Sequence, residues 1–121
     1  MTWRPPNSNI SERVIVVAGG YNYVDGNLAS VELLYLNRKP GLKWMTGPSL
    51  HTASWSASMV EYGSSVILVG GSGLEEDSRH MFQLESPDAT FWRELPQHLT
   101  DARYGHVAFM ISKDIVNCYQ N

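Results

Sequence analysis

Two short apolar stretches decide the fold of this chain. Residues 14–20 read Val-Ile-Val-Val-Ala-Gly-Gly, and residues 66–71 read Val-Ile-Leu-Val-Gly-Gly. Both are rich in β-branched side chains, which favour strands, and both stop at a pair of glycines. The two glycine pairs lie 51 residues apart. Because glycine tolerates a positive φ and has no Cβ, each pair predicts a strand that turns sharply where neighbouring backbones crowd it.

Further landmarks recur downstream of each glycine pair, in the same order. A second apolar run follows at residues 31–36 and again at residues 81–84. A tryptophan comes next, Trp44 in one case and Trp92 in the other, 48 residues apart. Landmarks that repeat in one order with nearly one period predict an internal structural repeat.

The period also sets the organisation of the chain. Residues 55–60 align with residues 104–109 at an offset of 49. With four strands A to D per repeat, the chain reads B, C and D, then A to D, then A and a short B. No segment shows a sustained helical period, so we expect little or no helix. The predicted parts are an N-terminal extension without a strand A at residues 1–13, a partial blade at residues 14–48 and a full blade at residues 49–96. Residues 97–121 are the start of a third blade or closing strands.

This pattern resembles the kelch repeat, a four-stranded unit of about 50 residues. The resemblance also rests on Tyr35, nine residues before Trp44, and on residues 103–106, Arg-Tyr-Gly-His, which look like the opening of a kelch strand A. It implies an all-β fold of antiparallel four-stranded blades of a kelch-type β-propeller, with about two blades in this chain. Both tryptophans are expected between blades, in the core. The residues that carry the structural motif are Gly19, Gly20, Tyr35, Trp44, Gly70, Gly71 and Trp92.

About two blades do not make a propeller, because each blade is stabilised by its neighbours and complete kelch propellers commonly have about six. Two explanations stay open. The favoured one is that the chain is the C-terminal portion of a longer protein. In the other, the trailing strand A completes the sheet of the next copy, and three copies close a homo-oligomeric ring of about six blades.

Composition limits the classes of partner. Nine basic and twelve acidic side chains among 121 residues give a net charge of -3, which argues against nucleic acid and membrane surfaces as partners. The apolar runs are shorter than the roughly 20 residues of a membrane-spanning helix. The first residues also lack the apolar core of a signal peptide. We therefore expect a cytoplasmic protein.

The sequence does not predict catalysis. The four histidines, at positions 51, 80, 98 and 106, have no metal-binding spacing, so neither a metal nor another cofactor is expected. His106 is expected to be packed and hydrogen-bonded, and the single cysteine, Cys118, to pack as a small apolar side chain. A galactose-oxidase-like enzyme fragment remains an alternative, although no copper-ligand set of tyrosines, histidines and a cysteine is recognisable.

The expected function is protein–protein interaction, as a scaffold or substrate-recognition domain. In kelch propellers the loops that join B to C and D to A lie on one rim, and the resemblance implies that they bind the partner. His51, Thr52, His98 and Asp101 belong to the D–A loops, and the simpler interpretation of the acidic loop at 75–77 is a solvated turn. A purely structural portion of a larger propeller is the alternative. The predicted rim residues are Tyr21, Asn22, Tyr23, Asp25, Glu75, Glu76, Asp77, Arg79, His80, Arg103 and Tyr104.

Overall fold

The fold is all-β, as the sequence predicts. A computed structural model describes residues 2–3, 13–37, 41–73 and 76–111. These residues form ten strands and no helix, and so contain no helix able to cross a membrane. The strands are β1 Thr2–Trp3, β2 Val14–Ala18, β3 Tyr21–Asn22, β4 Gly26–Asn27, β5 Val31–Tyr35, β6 Trp44–Thr46, β7 Ser58–Tyr62, β8 Ser65–Val69, β9 Met81–Leu84 and β10 Arg93–Glu94.

Eight of the strands form two antiparallel sheets of four strands each. The first sheet has the order β1-β2-β5-β6, and the second has the order β7-β8-β9-β10. The remaining two strands, β3 and β4, form a small hairpin inside the connection from β2 to β5. In both sheets the apolar run that precedes the glycine pair is an inner strand, paired on both sides.

The two sheets are framed by the same backbone hydrogen bonds. Several backbone hydrogen bonds around the first sheet have counterparts in the second, at offsets of 48 to 51 residues. This correspondence pairs Ser30 with His80, Ser54 with Arg103 and Leu50 with Leu99. The matched bonds, from N–H to carbonyl, are Gly19–Ser30 and Gly70–His80, Gly20–Ser54 and Gly71–Arg103, Leu50–Ala29 and Leu99–Arg79, and Gly47–Val31 and Leu95–Met81.

The glycine pairs make the sharp turns that the sequence predicts. The φ angles are 68° and 108° at Gly19 and Gly20, and 69° and 102° at Gly70 and Gly71. A Cβ on Gly70 would lie 2.6 Å from a ring carbon of His106, so a larger residue would have to displace that ring. Left-handed backbone and close packing therefore both require glycine here.

The core lies between the two sheets. Trp92 is fully buried, and its indole Nε1 donates a hydrogen bond of 2.9 Å to the carbonyl of Pro48. Its own carbonyl is 2.6 Å from Nε2 of His51. The segment that leaves the first sheet thus holds the tryptophan of the second. The core side chains are Val14, Val16, Val31, Leu33, Tyr35, Leu50, Val66, Leu68, Leu84 and Trp92.

The expectation that Trp44 belongs to the core is wrong, since its side chain is 45% exposed. Strand pairing explains the difference. Trp44 lies opposite Leu34 in the pairing of β6 with β5. Leu33, the neighbour of Leu34 in β5, is buried, and its side chain points to the other face of the sheet. Trp44 is therefore on the face of the first sheet that is turned away from the second, where Val17 is also exposed.

Two other elements differ from the expected strand order. Thr2–Trp3 pairs with the start of β2, which gives the first sheet a fourth strand where the sequence indicated none. Residues 104–109, expected as the trailing strand A, form no strand. Their expected partner at residues 115–116 lies outside the described residues, as does Cys118. A strand is defined by pairing, and residues 104–109 have no described segment with which to pair.

Candidate functional site

The connections that the sequence assigned to one rim lie at one end of the two sheets. Ala18, the last residue of β2, is opposite Val31, the first residue of β5. Ser58, the first residue of β7, is opposite Val69, the last residue of β8. The same end therefore holds the connections before and after these strands. We call this end the rim surface; it comprises residues 19–30, 47–57, 70–73, 76–80 and 95–105.

Hydrogen bonds between the connections make the rim surface one continuous structure. The segment between β6 and β7 bonds to the loop of the first sheet through Ser54, whose N–H donates to the carbonyl of Leu28 at 3.0 Å. The same segment bonds to the loop of the second sheet through two bonds between Trp55 and Ser72, of 2.9 and 3.0 Å. The loops therefore present their side chains from a fixed backbone.

The hairpin of β3 and β4 displays the most exposed apolar side chains of the rim surface. Oδ1 of Asn22 accepts hydrogen bonds from the backbone N–H groups of Val24 (3.0 Å) and Asp25 (2.6 Å), and its Nδ2 donates to Asp25 Oδ2. These bonds hold the tip, where Tyr23 is 95% exposed and Val24 is 90% exposed. Asn22 and Asp25 thus shape the turn, and Tyr23 and Val24 form its contact surface. Sequence reasoning missed Val24, because a single apolar loop residue carries no signal of its own.

A cavity of about 360 Å³ opens between the β6–β7 segment and the loop of the second sheet. Three predicted rim residues, Glu76, Asp77 and His80, line it. Leu50 and Phe82 add apolar surface to the lining. The cavity therefore combines an apolar lining with carboxylates. The predicted rim residue Glu75 lies outside the described residues.

Arg103 and Tyr104 are exposed but already have contacts within the chain. The backbone of Arg103 bonds to Gly71 and Ser78, and its guanidinium is 3.7 Å from a carboxylate oxygen of Asp101. The ring of Tyr104 packs against that of Trp55, its counterpart in the repeat, with centroids 5.1 Å apart. Both side chains remain about half exposed, so part of each is accessible to a partner from solvent.

Arg79 has a structural contact that the sequence did not indicate. Its Nε donates a 2.8 Å hydrogen bond to the carbonyl of Leu99, and the N–H of Leu99 donates to the carbonyl of Arg79 at the same distance. This clamp joins the loop of the second sheet to the segment after β10. Arg79 therefore joins two rim segments while its side chain stays exposed at the rim.

The histidines are placed in two different ways. His106 Nε2 lies 2.8 Å from the carbonyl of Val69 and must donate to it, which confirms a packed and hydrogen-bonded histidine. His80 instead lies at the surface, with its Nδ1 2.7 Å from a carboxylate oxygen of Glu94 and its ring 4.8 Å from that of His98. Sequence reasoning missed this cluster, because strand pairing and not local spacing brings the three residues together.

No protein-family model matches this chain, and no curated protein matches it significantly. The arrangement of its own side chains is therefore what indicates a function. Three features lie on or next to the rim surface: a held hairpin tip with exposed apolar side chains, a cavity with carboxylates, and a surface cluster of two histidines and a glutamate.

Proposed function

We propose that this chain is a non-catalytic protein-interaction module, made of kelch-type propeller blades, which binds another protein through the rim surface. The observation that carries the proposal is the hairpin tip, where Tyr23 and Val24 are almost fully exposed on a turn that Asn22 holds in place. Large apolar side chains held in water suit a protein contact, because little conformational entropy is lost when they bind.

The chemistry of the rim surface indicates what the partner offers. Tyrosine and arginine are common in interface hot spots, and Tyr21, Tyr23 and Arg103 are all exposed at this end of the molecule. The cavity beside them carries Glu76 and Asp77. A partner with an apolar pocket for the tip and a basic side chain for the cavity would match both features.

The experiment is affinity capture with the purified chain as bait, repeated with single alanine variants. Tyr23→Ala and Arg103→Ala are expected to weaken binding of a captured partner by at least about tenfold, as interface hot spots do. The matched control is Tyr62→Ala. Tyr62 is 56% exposed at the end of β7, on the opposite end of the sheets. Loss of the partner with Tyr62→Ala, or its retention by both rim variants, would contradict the proposal.

The kelch-type assignment is supported by the repeated frame. Both sheets have four antiparallel strands, a glycine pair at positive φ after an inner strand, and a tryptophan at the same register. The core side chains of the second sheet pack against one face of the first, an arrangement that two neighbouring blades would share. A solved structure in which further sheets repeat this packing would support a propeller, and one without further sheets would support a two-sheet fold.

A second role, structural completion of a larger propeller, is favoured by the free face of the first sheet. Val66, Leu68 and Leu84 are the side chains with which the second sheet packs on the first. Most of the matching positions of the first sheet are also apolar, and Val17 and Trp44 there are nearly half exposed, but Glu32 stands where the second sheet has Phe82. A face with exposed apolar side chains beside one acidic residue suits another blade, either from the same polypeptide or from a second copy.

The absolute mass of the purified chain, measured by light scattering behind a sizing column, tests this second role. A compact trimer that dissociates with Trp44→Glu, but not with Tyr62→Glu, would support a ring of about six blades. A monodisperse monomer, with both sheets folded, would contradict self-assembly. Blades from the same polypeptide would then be the remaining way to cover the face.

A further inference from the structure

Three side chains with metal-binding atoms converge at the edge of the second sheet. His80 comes immediately before β9, Glu94 is the last residue of β10, and His98 follows four residues later. One ligand atom from each lies within 4.8 Å of the others. All three residues are exposed, so an ion can reach them from solvent without any opening of the fold.

Hydrogen bonds next to the two histidines fix them beside each other. Arg79 precedes His80 and Leu99 follows His98; the side-chain Nε of Arg79 donates to the carbonyl of Leu99, and the N–H of Leu99 donates to the carbonyl of Arg79, both at 2.8 Å. The N–H of His80 itself donates to the side-chain oxygen of Ser78 at 3.0 Å. The two imidazoles are therefore brought together before any ligand binds, which lowers the entropic cost of binding one.

Strand pairing fixes the carboxylate in the same way. Glu94 lies opposite Phe82 in the pairing of β10 with β9. The N–H of Leu95 donates a 2.9 Å hydrogen bond to the carbonyl of Met81, next to His80. The carboxylate then reaches Nδ1 of His80 at 2.7 Å. Each of the three side chains therefore stands next to a residue whose backbone hydrogen bond joins its segment to a neighbouring segment.

The first sheet shows that the frame does not need these side chains. Its matching positions are occupied by Ser30, Thr46 and Ser49, while the surrounding backbone hydrogen bonds are the same. The two histidines and the glutamate are therefore a property of the second sheet alone. A cluster that folding does not require is more easily explained by ligand binding.

We propose that His80, Glu94 and His98 bind one divalent transition-metal ion, and that Zn²⁺ is the ion that this ligand set fits best. Two imidazole nitrogens and one carboxylate oxygen suit Zn²⁺, whereas Mg²⁺ and Ca²⁺ prefer oxygen ligands alone. Three protein ligands leave a fourth position open to water or to a donor group from another molecule. Because His80 also lines the cavity of the rim surface, a bound ion adds a positively charged contact point there.

The test is isothermal titration of the metal-free chain with Zn²⁺, with circular dichroism to show that each variant is folded. Wild type is expected to bind one ion. Glu94→Gln and His98→Ala are each expected to weaken binding by at least about tenfold, since losing even a residue that only hydrogen-bonds to a metal ligand costs that much. The control is Asp101→Asn, a neighbouring exposed carboxylate outside the cluster, which should bind like wild type.

A second measurement follows the histidine ring protons by nuclear magnetic resonance during the titration. The ring signals of His80 and His98 should shift together and saturate at one equivalent of Zn²⁺, while those of His51 and His106 stay in place. The proposal is overturned if wild type shows no saturable binding, if the folded Glu94→Gln and His98→Ala variants bind as tightly as wild type, or if Mg²⁺ binds equally well.

Discussion

The two matched tryptophans allow one substitution to be compared in two environments. Trp92 is fully buried between the sheets, and Trp44 occupies the equivalent register with its side chain 45% exposed. A buried tryptophan removes roughly 150–250 Å² from water. At about 25 cal/mol per Å², this burial contributes about 4–6 kcal/mol, as an upper estimate. Trp92→Ala should therefore lower the free energy of unfolding by about 3–5 kcal/mol, the range measured for such truncations.

The cost of Trp44→Ala is expected to be no more than about 2 kcal/mol, because the site is open to solvent and no closed cavity is left. Trp92→Phe separates packing from hydrogen bonding. It keeps most of the apolar area but leaves the carbonyl of Pro48 without its 2.9 Å donor, at a cost of about 1–3 kcal/mol. Trp92→Ala is therefore expected to be the most destabilising of the three substitutions, and Trp92→Phe and Trp44→Ala should each cost less.

The assay is urea unfolding followed by far-ultraviolet circular dichroism, because tryptophan fluorescence itself changes in these variants. A domain of this length is expected to have about 6–18 kcal/mol of stability, so Trp92→Ala should move the midpoint far outside error. Equal midpoint shifts for Trp92→Ala and Trp44→Ala would refute the asymmetry described above. If the Trp44→Ala effect grew with protein concentration, a second copy would be covering that face.

The remaining predictions concern the backbone and the metal ligands. Ser56 has a φ of 54° where its counterpart Gly105 has 70°; Ser56→Gly should stabilise the fold by about 0.5–1 kcal/mol, and Gly105→Ser should destabilise it by a similar amount, both in urea unfolding. Gly70→Ala should cost more than Gly105→Ser, because a Cβ at position 70 would meet the His106 ring and one at position 105 would meet nothing; similar midpoints would contradict this. The substitutions S30H, T46E and S49H would add the same three ligands at the matching positions of the first sheet. They should raise the number of Zn²⁺ ions bound per chain from one to two, as counted by titration.

Local patterns in the sequence were sufficient to predict the inner strands of both sheets. β2, β5, β8 and β9 coincide with the short apolar runs, because a run of β-branched side chains bounded by glycine is a strand signal wherever it occurs. The turns at the glycine pairs were predictable for the same reason, since the need for positive φ is local. The rim position of the connections then follows from strand order.

The burial of individual side chains, and which side chains meet in a surface cluster, could not be predicted from local patterns. Trp44 and Trp92 occupy the same place in the repeat, four residues before a proline, yet they differ in burial because the second sheet packs on one face of the first. β1 escaped notice because two residues carry no period. His80, Glu94 and His98 come together through the pairing of β9 with β10 and through the Arg79–Leu99 clamp, which no spacing in the sequence reveals.

The repeated frame of hydrogen bonds has a consequence for how this molecule can change. Every matched bond joins one main-chain group to another, so this repeated frame does not depend on which side chains occupy the matching positions. Substitutions there can be accepted in one sheet without a compensating change in the other. The first sheet has used this freedom for an aromatic tip, and the second for imidazoles and carboxylates. Two tandem copies of one fold can thus diverge into separate recognition chemistries, each inherited on the same main chain.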